Sequence, residues 1–182
     1  VNEITNKFGG NVSDIAGIVT RSGALARAHG MNAGQVAAIG GAMNSAGVGE
    51  EVGATGLKNL LLTLGKGEAA TKKQAEAFGT LGLEAVATSK MLRDDAAGAV
   101  TLVMERIAKL PEHEQGSLLD QLFGSESIGA LAPLLTDLDG LKERLALVKT
   151  EGQFAGSAAR ELVGELGKTS AQLQIVDNQK NN

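Results

Sequence analysis

His113 lies between Glu112 and Glu114, and this acid-flanked histidine is the part of the sequence that comes nearest to a reaction centre. A histidine followed by a glutamate begins the zinc-protease motif, which needs a second histidine four residues after the first so that both imidazoles share one helix face. Position 117 is Ser117, and the chain has no cysteine and only one other histidine, His29. We therefore expect no metal site, and interpret the acids as a helix start, where the dipole favours negative charge.

Two glycine-rich stretches approach nucleotide-binding motifs but lack their defining residues. In GVGEEVG, Val52 stands where the third glycine of a dinucleotide fingerprint should be. The stretch GKGEAATKK has lysine and threonine near glycines, but not in the order of a phosphate-binding loop. Because no predicted strand precedes either stretch, we interpret both as loops between helices, including GKGEA.

Nucleophilic and acid–base constellations have no support in the sequence either. There is no Gly-x-Ser-x-Gly elbow, and a triad would have to use His29 or His113, with nothing to recommend either. The neighbouring acids Asp94 and Asp95 could in principle serve glycoside chemistry, but such a pair more often caps a helix. We predict that the chain is not an enzyme, has no catalytic, cofactor-binding or metal-ligating residue, and needs no cofactor.

Residues 32–61 contain a helix, the turn SAGVG and a second helix, a pattern that resembles a DNA-binding helix-turn-helix. The second helix would open with Glu50 and Glu51, which would face phosphates, and only Lys58 and Asn59 could reach base edges. The net charge is −4, and the lysines and arginines are scattered rather than clustered. We expect a plain helical hairpin and no specific nucleic-acid recognition.

The elements that position these residues are predicted to be helices. Apolar residues recur at spacings of three and four between capping residues and glycines, and no run of alternating β-branched residues occurs. The 182-residue chain is 43% hydrophobic but has only four Phe and no Trp or Tyr, so its core must be built from Leu, Ile, Val, Met and Ala, with Phe78 and Phe123 among the few aromatic residues on apolar helix faces. The predicted fold is all-α, a compact irregular bundle of about eight to ten short helices without significant β-sheet.

Capping signatures predict where several helices begin. Asn32 with Gln35, and Thr71 with Gln74, have the spacing of capping boxes. Ser127 is expected to cap a brief helix. Helices are expected from about Ser13 to His29 and from about Gly49 to Leu64. Asp94 and Asp95 are expected to cap the helix that follows them. Pro111 and Gly124 are expected to end helices, and Pro133 is expected to kink one.

Some features of the helices bear on how closely they pack. The helix that ends near Leu64 is expected to bury a wide apolar stripe that includes Val52.

Glycines inside helices each cost up to ~1 kcal/mol of helix stability relative to alanine. Either close helix–helix approach or a helix that bends or melts would explain their presence. Four such glycines are Gly40, Gly41, Gly98 and Gly164.

The domain organisation is predicted to be simple. Residues 1–12 are expected to form a flexible N-terminal segment, 13–177 a single helical domain with a possible weak division near Gly82, and 178–182 a disordered tail. The uncharged stretch at 28–49 is long enough to span a bilayer, but its polar residues and glycines argue against membrane insertion. The first residue is not Met, so we expect a segment of a longer protein.

Three longer phrases resemble the core region of phage tail tape measure proteins, in the same order, and the resemblance extends over about residues 10–178. They are GMNAGQVAAIGGAMNSAGV, GLKNLLLTLGKGEAATKKQAEAFGTLGLEA and AAGAVTLVMERIAKLPEHEQGSLLDQLFGSESIGALAPLL. The resemblance implies a structural virion protein of a tailed phage or prophage, a long helical polypeptide inside the growing tail tube. The resemblance also implies that the protein sets the length of the tail tube and leaves the tube before or with the DNA on ejection. The family offers no catalytic residue to carry over to this chain.

The implied partners are tail tube subunits, tail assembly chaperones, baseplate or tail-tip proteins, and copies of the chain itself in the tail. The implied locations are the virion, inside the tail tube, and the bacterial cytoplasm during assembly. An alternative is a non-phage α-helical protein-interaction module with a peptide groove lined by Leu and Met. An enzyme fragment is a third and weaker alternative.

The breaks at proline and glycine favour a compact form over a rod. One continuous helix of this length would reach roughly 270 Å, whereas a compact domain has a radius of gyration near ~16 Å. We hypothesise a marginally stable helical unit that can rearrange on assembly or ejection.

Overall fold

The computed structural model describes residues 10–150, and this part of the chain is all-α, as predicted. It contains nine α-helices and two short 3-10 turns, and no strand occurs between residues 10 and 150. The predicted last helix after Gly152 lies outside the described residues. The helices are α1 Val12–Ala28, α2 Ala33–Ser45, α3 Glu50–Gly65, α4 Lys72–Thr80, α5 Ala85–Asp94, α6 Ala96–Ala108, α7 Glu112–Phe123, α8 Ile128–Thr136 and α9 Leu138–Thr150.

Helices α2 and α3 lie at the centre of the bundle. Helix α1 packs against both of them, α8 packs against α3, and α9 returns to pack against α2. Every residue of α2 from Val36 to Asn44 is buried, so this helix has no broad solvent face. Helices before and after Gly82 contribute side chains to the same hydrophobic cluster. No helix between residues 10 and 150 combines the length and the apolar character needed to cross a bilayer.

Both predicted capping boxes are confirmed. The Asn32 side chain accepts a hydrogen bond from the Gln35 backbone N–H, and the Gln35 side chain accepts one from the Asn32 N–H, both at 2.9 Å. Thr71 and Gln74 form the same reciprocal pair, with both distances at 3.2 Å. These pairs satisfy N–H groups that have no partner within the helix, and they fix the starts of α2 and α4.

Two other predicted boundary residues are also confirmed. Asp95 caps α6, because its carboxylate accepts a hydrogen bond from the Gly98 N–H at 2.9 Å, whereas Asp94 is the last residue of α5. Gly124 ends α7 with a backbone φ of +86°, a conformation that residues other than glycine rarely adopt. The C-terminal limit of α7 is therefore set by a local backbone requirement.

Three sequence-based predictions are wrong. Ser127 occupies the predicted N-cap position of α8, but its side chain makes no capping bond; its hydroxyl donates to the Phe123 carbonyl at 2.9 Å and accepts from Asn59 at 2.9 Å. Val52 is 46% exposed, because it lies on the outer side of α3 rather than in the buried stripe. The GKGEA stretch is not simply a loop, because Gly67–Ala69 form a 3-10 turn.

Close approach between helices accounts for several interior glycines. A β-carbon on Gly40 would lie 3.2 Å from Ile18 Cγ2, and one on Gly53 would lie 2.6 Å from Ile18 Cδ1. Because these two glycines have no side chain, α1 can pack closely against α2 and α3. Gly98 has a different role, since a β-carbon there would meet the Asp95 carboxylate that caps the same helix.

Candidate functional site

A shallow surface groove runs between the end of α4 and helix α7, and His113 and Glu114 form part of its wall. Its volume is about 360 Å³. Apart from two leucines, its lining is polar, which suits a solvated surface better than a pocket for an apolar ligand. The residues that line it are Thr80, Leu110, His113, Glu114, Ser117, Leu118 and Gln121.

His113 and Glu114 lie in the exposed first turn of α7, as predicted. The His113 Nε2 atom is 3.6 Å from Glu114 Oε1, and the two side chains are 81% and 51% exposed. Water screens such a pair, so the contact does little to orient the imidazole. A catalytic base is normally held by a second group and lies within hydrogen-bond reach of a nucleophile. Here the carboxylates of Glu112 and Glu114 favourably occupy the positive end of the helix dipole.

The second histidine lies at a different place in the bundle. His29 follows the last residue of α1, and its imidazole covers Gly65 at the end of α3, where a β-carbon would lie 2.4 Å from the ring. Nowhere between residues 10 and 150 do three His, Cys, Asp or Glu side chains come together as a metal would require. Within these residues, neither histidine has the surroundings of a metal ligand.

In the helical hairpin of α2 and α3, most of the first helix is buried and one candidate base-reading residue of the second has other partners. Helix α2 is buried from Val36 to Asn44. The side chain of Asn59 is partly buried, and its amide donates to Glu126 Oε1 at 3.1 Å and to Ser127 Oγ at 2.9 Å. The side chain most able to read a base edge is therefore occupied in holding the turn before α8.

An ion pair between Glu105 of α6 and Lys142 of α9 gives the clearest electrostatic effect in residues 10–150. The hydrogen bond from the Lys142 ammonium lowers the pKa of the Glu105 carboxyl below its ordinary value, and the same bond raises the pKa of Lys142. The two side chains are 33% and 43% exposed. This pair links two helices at the surface and does not line the groove.

A polar connection at the end of α7 had no signal in the sequence. The Leu122 carbonyl accepts hydrogen bonds from Thr63 Oγ1 at 3.0 Å and from Gln74 Nε2 at 2.9 Å. The Gln74 side-chain oxygen also accepts a hydrogen bond from the Lys66 ammonium at 3.0 Å, in addition to its capping bond with Thr71. These contacts tie α7 to α3 and α4, and they satisfy a carbonyl that has no partner within its own helix.

The comparison with known families decides what kind of protein carries this fold. The model of the family described as "Phage-related minor tail protein" matches residues 1–124. The chain belongs to this family. As a phage tail protein, it is a component of the virion tail, and the resemblance to tape measure proteins is supported by a named relative.

That relative is the "Probable tape measure protein" of Halomonas phage phiHAP-1, which is 34% identical over 163 residues. The alignment covers 90% of this tail protein but 19% of the relative. The chain thus spans about a fifth of the relative's length. No solved structure matches the chain.

Proposed function

We propose that the chain is a segment of a tape measure protein that acts in tail tube assembly and DNA ejection. The observation that carries this proposal is the similarity to the probable tape measure protein over 90% of the chain. The all-α architecture supports it, because the resemblance to tape measure proteins implies a largely helical polypeptide. The match to a phage tail family supports the same role.

The proposed role is structural and needs no catalytic residue, cofactor or metal. Its support is the solvated setting of His113 and Glu114, which the protein does not bury or orient. The role of Asp95 as a helix cap gives that carboxylate a purely structural purpose. If the exposed histidine had a catalytic role, His113→Ala would abolish phage production while leaving the fold intact.

We place the working protein inside the tail tube of the virion, and in the bacterial cytoplasm while tails assemble. Its proposed partners are tail tube subunits, tail assembly chaperones, baseplate or tail-tip proteins and further copies of itself. The predicted single helical domain at residues 13–177 belongs to the same proposal, and its support is the core shared by helices on both sides of Gly82.

Purified virions provide the experiment. Peptides of this chain should appear in mass spectra of washed virions from the phage or prophage that encodes it, and a tagged full-length copy should be protected from protease until the DNA is ejected. A chain that is absent from virions, or that is digested equally before and after ejection, would contradict the proposed location. Virions made with His113→Ala should remain infectious, which separates the structural role from an enzymatic one.

A further inference from the structure

The beginning and the end of the described segment are held by two consecutive residues of α2. The Asn11 backbone N–H, just before α1, donates a hydrogen bond to Oδ1 of Asn44. Arg144 of α9, the last described helix, donates from Nη2 to Ser45 Oγ at 2.8 Å. Asn44 and Ser45 therefore connect two parts of the chain that lie at opposite ends of the described sequence.

The Asn44 side chain is built into this junction. It is 8% exposed, and its amide nitrogen donates to Asp14 Oδ2 and to the Val48 carbonyl, both at 3.0 Å. One amide group thus binds the start of α1 and the turn that follows α2. Because its donor and acceptor atoms are both used, the side chain is fixed rather than free to take other partners.

Arg144 is buried to a degree that is unusual for a charged residue. Its side chain is 3% exposed, and Nη1 lies 3.4 Å from Asp137 Oδ2, next to the start of its own helix. The Ser45 hydroxyl that accepts from Arg144 in turn donates to the Gly41 carbonyl, so the acceptor is oriented by α2 itself. Buried apolar residues flank the arginine on the same helix, namely Leu141, Leu145 and Val148.

We propose that Asn44 and Ser45 form a clasp that holds the two ends of this segment together and controls how far apart they can move. The bonded path from Asn11 through the clasp to Arg144 limits the separation of their Cα atoms to about 25 Å. The same stretch drawn out as one helix would span roughly 200 Å. With the clasp closed, the segment adds little length to a longer polypeptide.

Tension along the chain would reach the clasp before it reaches most of the core. A pull on Asn11 and on α9 crosses the bundle through the last turn of α2, because that is the shortest path of bonds between them. The apolar contacts that α1 and α9 make with α2 share this load, but hydrogen bonds are directional and weaken steeply when their angle changes. The clasp is then the first part to open. This inference rests on the packing of residues 10–150 and does not depend on the proposed tail function.

The test measures the distance between the two ends in the full 182-residue chain. Since the sequence has no cysteine, Ser13→Cys with Lys149→Cys creates the only two labelling sites, both at exposed positions. Electron–electron double resonance between nitroxide labels should give a main distance below about 50 Å, including the label arms. A main distance well beyond this value would overturn the proposal.

Clasp variants in the doubly labelled chain test the role of the contacts. Asn44→Ala combined with Arg144→Met should broaden the distance distribution and shift it to longer distances, while circular dichroism keeps most of the helical signal. The methionine is chosen because a buried charge is often replaced by an apolar side chain without loss of the fold. Ser45→Ala alone should give a smaller shift in the same direction.

Asn59→Ala combined with Thr63→Ala is the matched control, because it removes polar links of the same kind between α3 and the region around α7. The control should leave the distance distribution unchanged. The proposal fails if the clasp variants keep the parent distance, or if the control lengthens it equally. It also fails if the ends separate only together with loss of the whole helical signal.

Discussion

Gly56 of α3 lies so close to Ala130 of α8 that a β-carbon at position 56 would be 2.4 Å from Cβ of Ala130. The atom in the way belongs to a short side chain fixed to a helix, so it cannot swing aside as the end of a longer side chain could. The same β-carbon would lie 3.7 Å from the Ser127 carbonyl oxygen. This contact sets the distance between α3 and α8.

Gly56→Ala should therefore destabilise the fold by about 1–3 kcal/mol, the usual cost of overpacking a well-filled contact. The loss is expected even though alanine is the better helix former by up to ~1 kcal/mol. Urea unfolding followed by circular dichroism measures the difference in the free energy of unfolding. A variant as stable as the parent would mean that α8 can move away at no cost.

Gly116→Ala is the matched control for Gly56→Ala, because the structure has space for a β-carbon at position 116. Gly116 lies inside α7 and is exposed, and a β-carbon there would meet nothing within 4 Å. The substitution should raise the free energy of unfolding by about 0.5–1 kcal/mol, because alanine restricts the unfolded chain and favours the helix. The same unfolding experiment measures it, and a loss of stability would show that this glycine has a packing role.

Gln74→Ala should cost more than Gln35→Ala, although both remove the same half of a capping box. Gln74 is 8% exposed and also donates to the Leu122 carbonyl, whereas Gln35 is only partly buried and makes the capping bond. We expect losses of about 2 kcal/mol and about 1 kcal/mol respectively. Equal losses in matched urea titrations would indicate that the bond from Gln74 to Leu122 contributes nothing.

Glu105→Gln should remove a pH-dependent contribution to stability. Because the pKa of Glu105 is lowered in the folded state, its pairing with Lys142 stabilises the fold above the carboxyl's ordinary pKa. That contribution is lost as the pH falls through the lowered value. The raised pKa of Lys142 means that the contribution is also lost in strong alkali, as the pH rises through it.

The difference in unfolding free energy between the parent and Glu105→Gln should therefore be small but positive at neutral pH. It should shrink with added salt, because both side chains are partly exposed. It should vanish at acid pH below the lowered pKa. A difference that stays constant from neutral to acid pH would rule out the ion pair as its source.

The features that sequence analysis predicted are those decided by neighbouring residues. The capping boxes of Asn32 with Gln35 and of Thr71 with Gln74 need only residues three apart, and both are present. The end of α7 at Gly124 needs one residue with positive φ. Helix identity followed from apolar spacing for the same reason, because the helical period is a local property.

The features that it missed depend on contacts between distant helices. Val52 has the spacing of the buried stripe, but the helices that surround α3 leave its side exposed. Ser127 has the residue type of a cap, but its hydroxyl accepts a hydrogen bond from Asn59 of the distant helix α3 and donates to the Phe123 carbonyl. The contact of Gly56 with Ala130 joins two helices far apart in sequence, and no local pattern indicates it.

The candidate site likewise has one part that is set by neighbouring residues and one that is set by packing between helices. The exposed helix start with His113 and Glu114 was predictable from Pro111 and from the flanking acids. The opposite side of the groove includes Thr80, and only the packing of α4 on α7 brings it there. The sequence therefore indicates that His113 lies at an exposed helix start, but not which residues lie opposite it in the groove.

The measurement that tests the central claim most directly is tail length in virions from a phage or prophage that carries this chain. The encoding gene is deleted and then restored on a plasmid, and tails are measured by electron microscopy. We expect that the deletion yields no tails of normal length, and that full-length copies with or without His113→Ala restore the normal distribution of tail lengths. Tails of normal length without the gene would contradict this expectation.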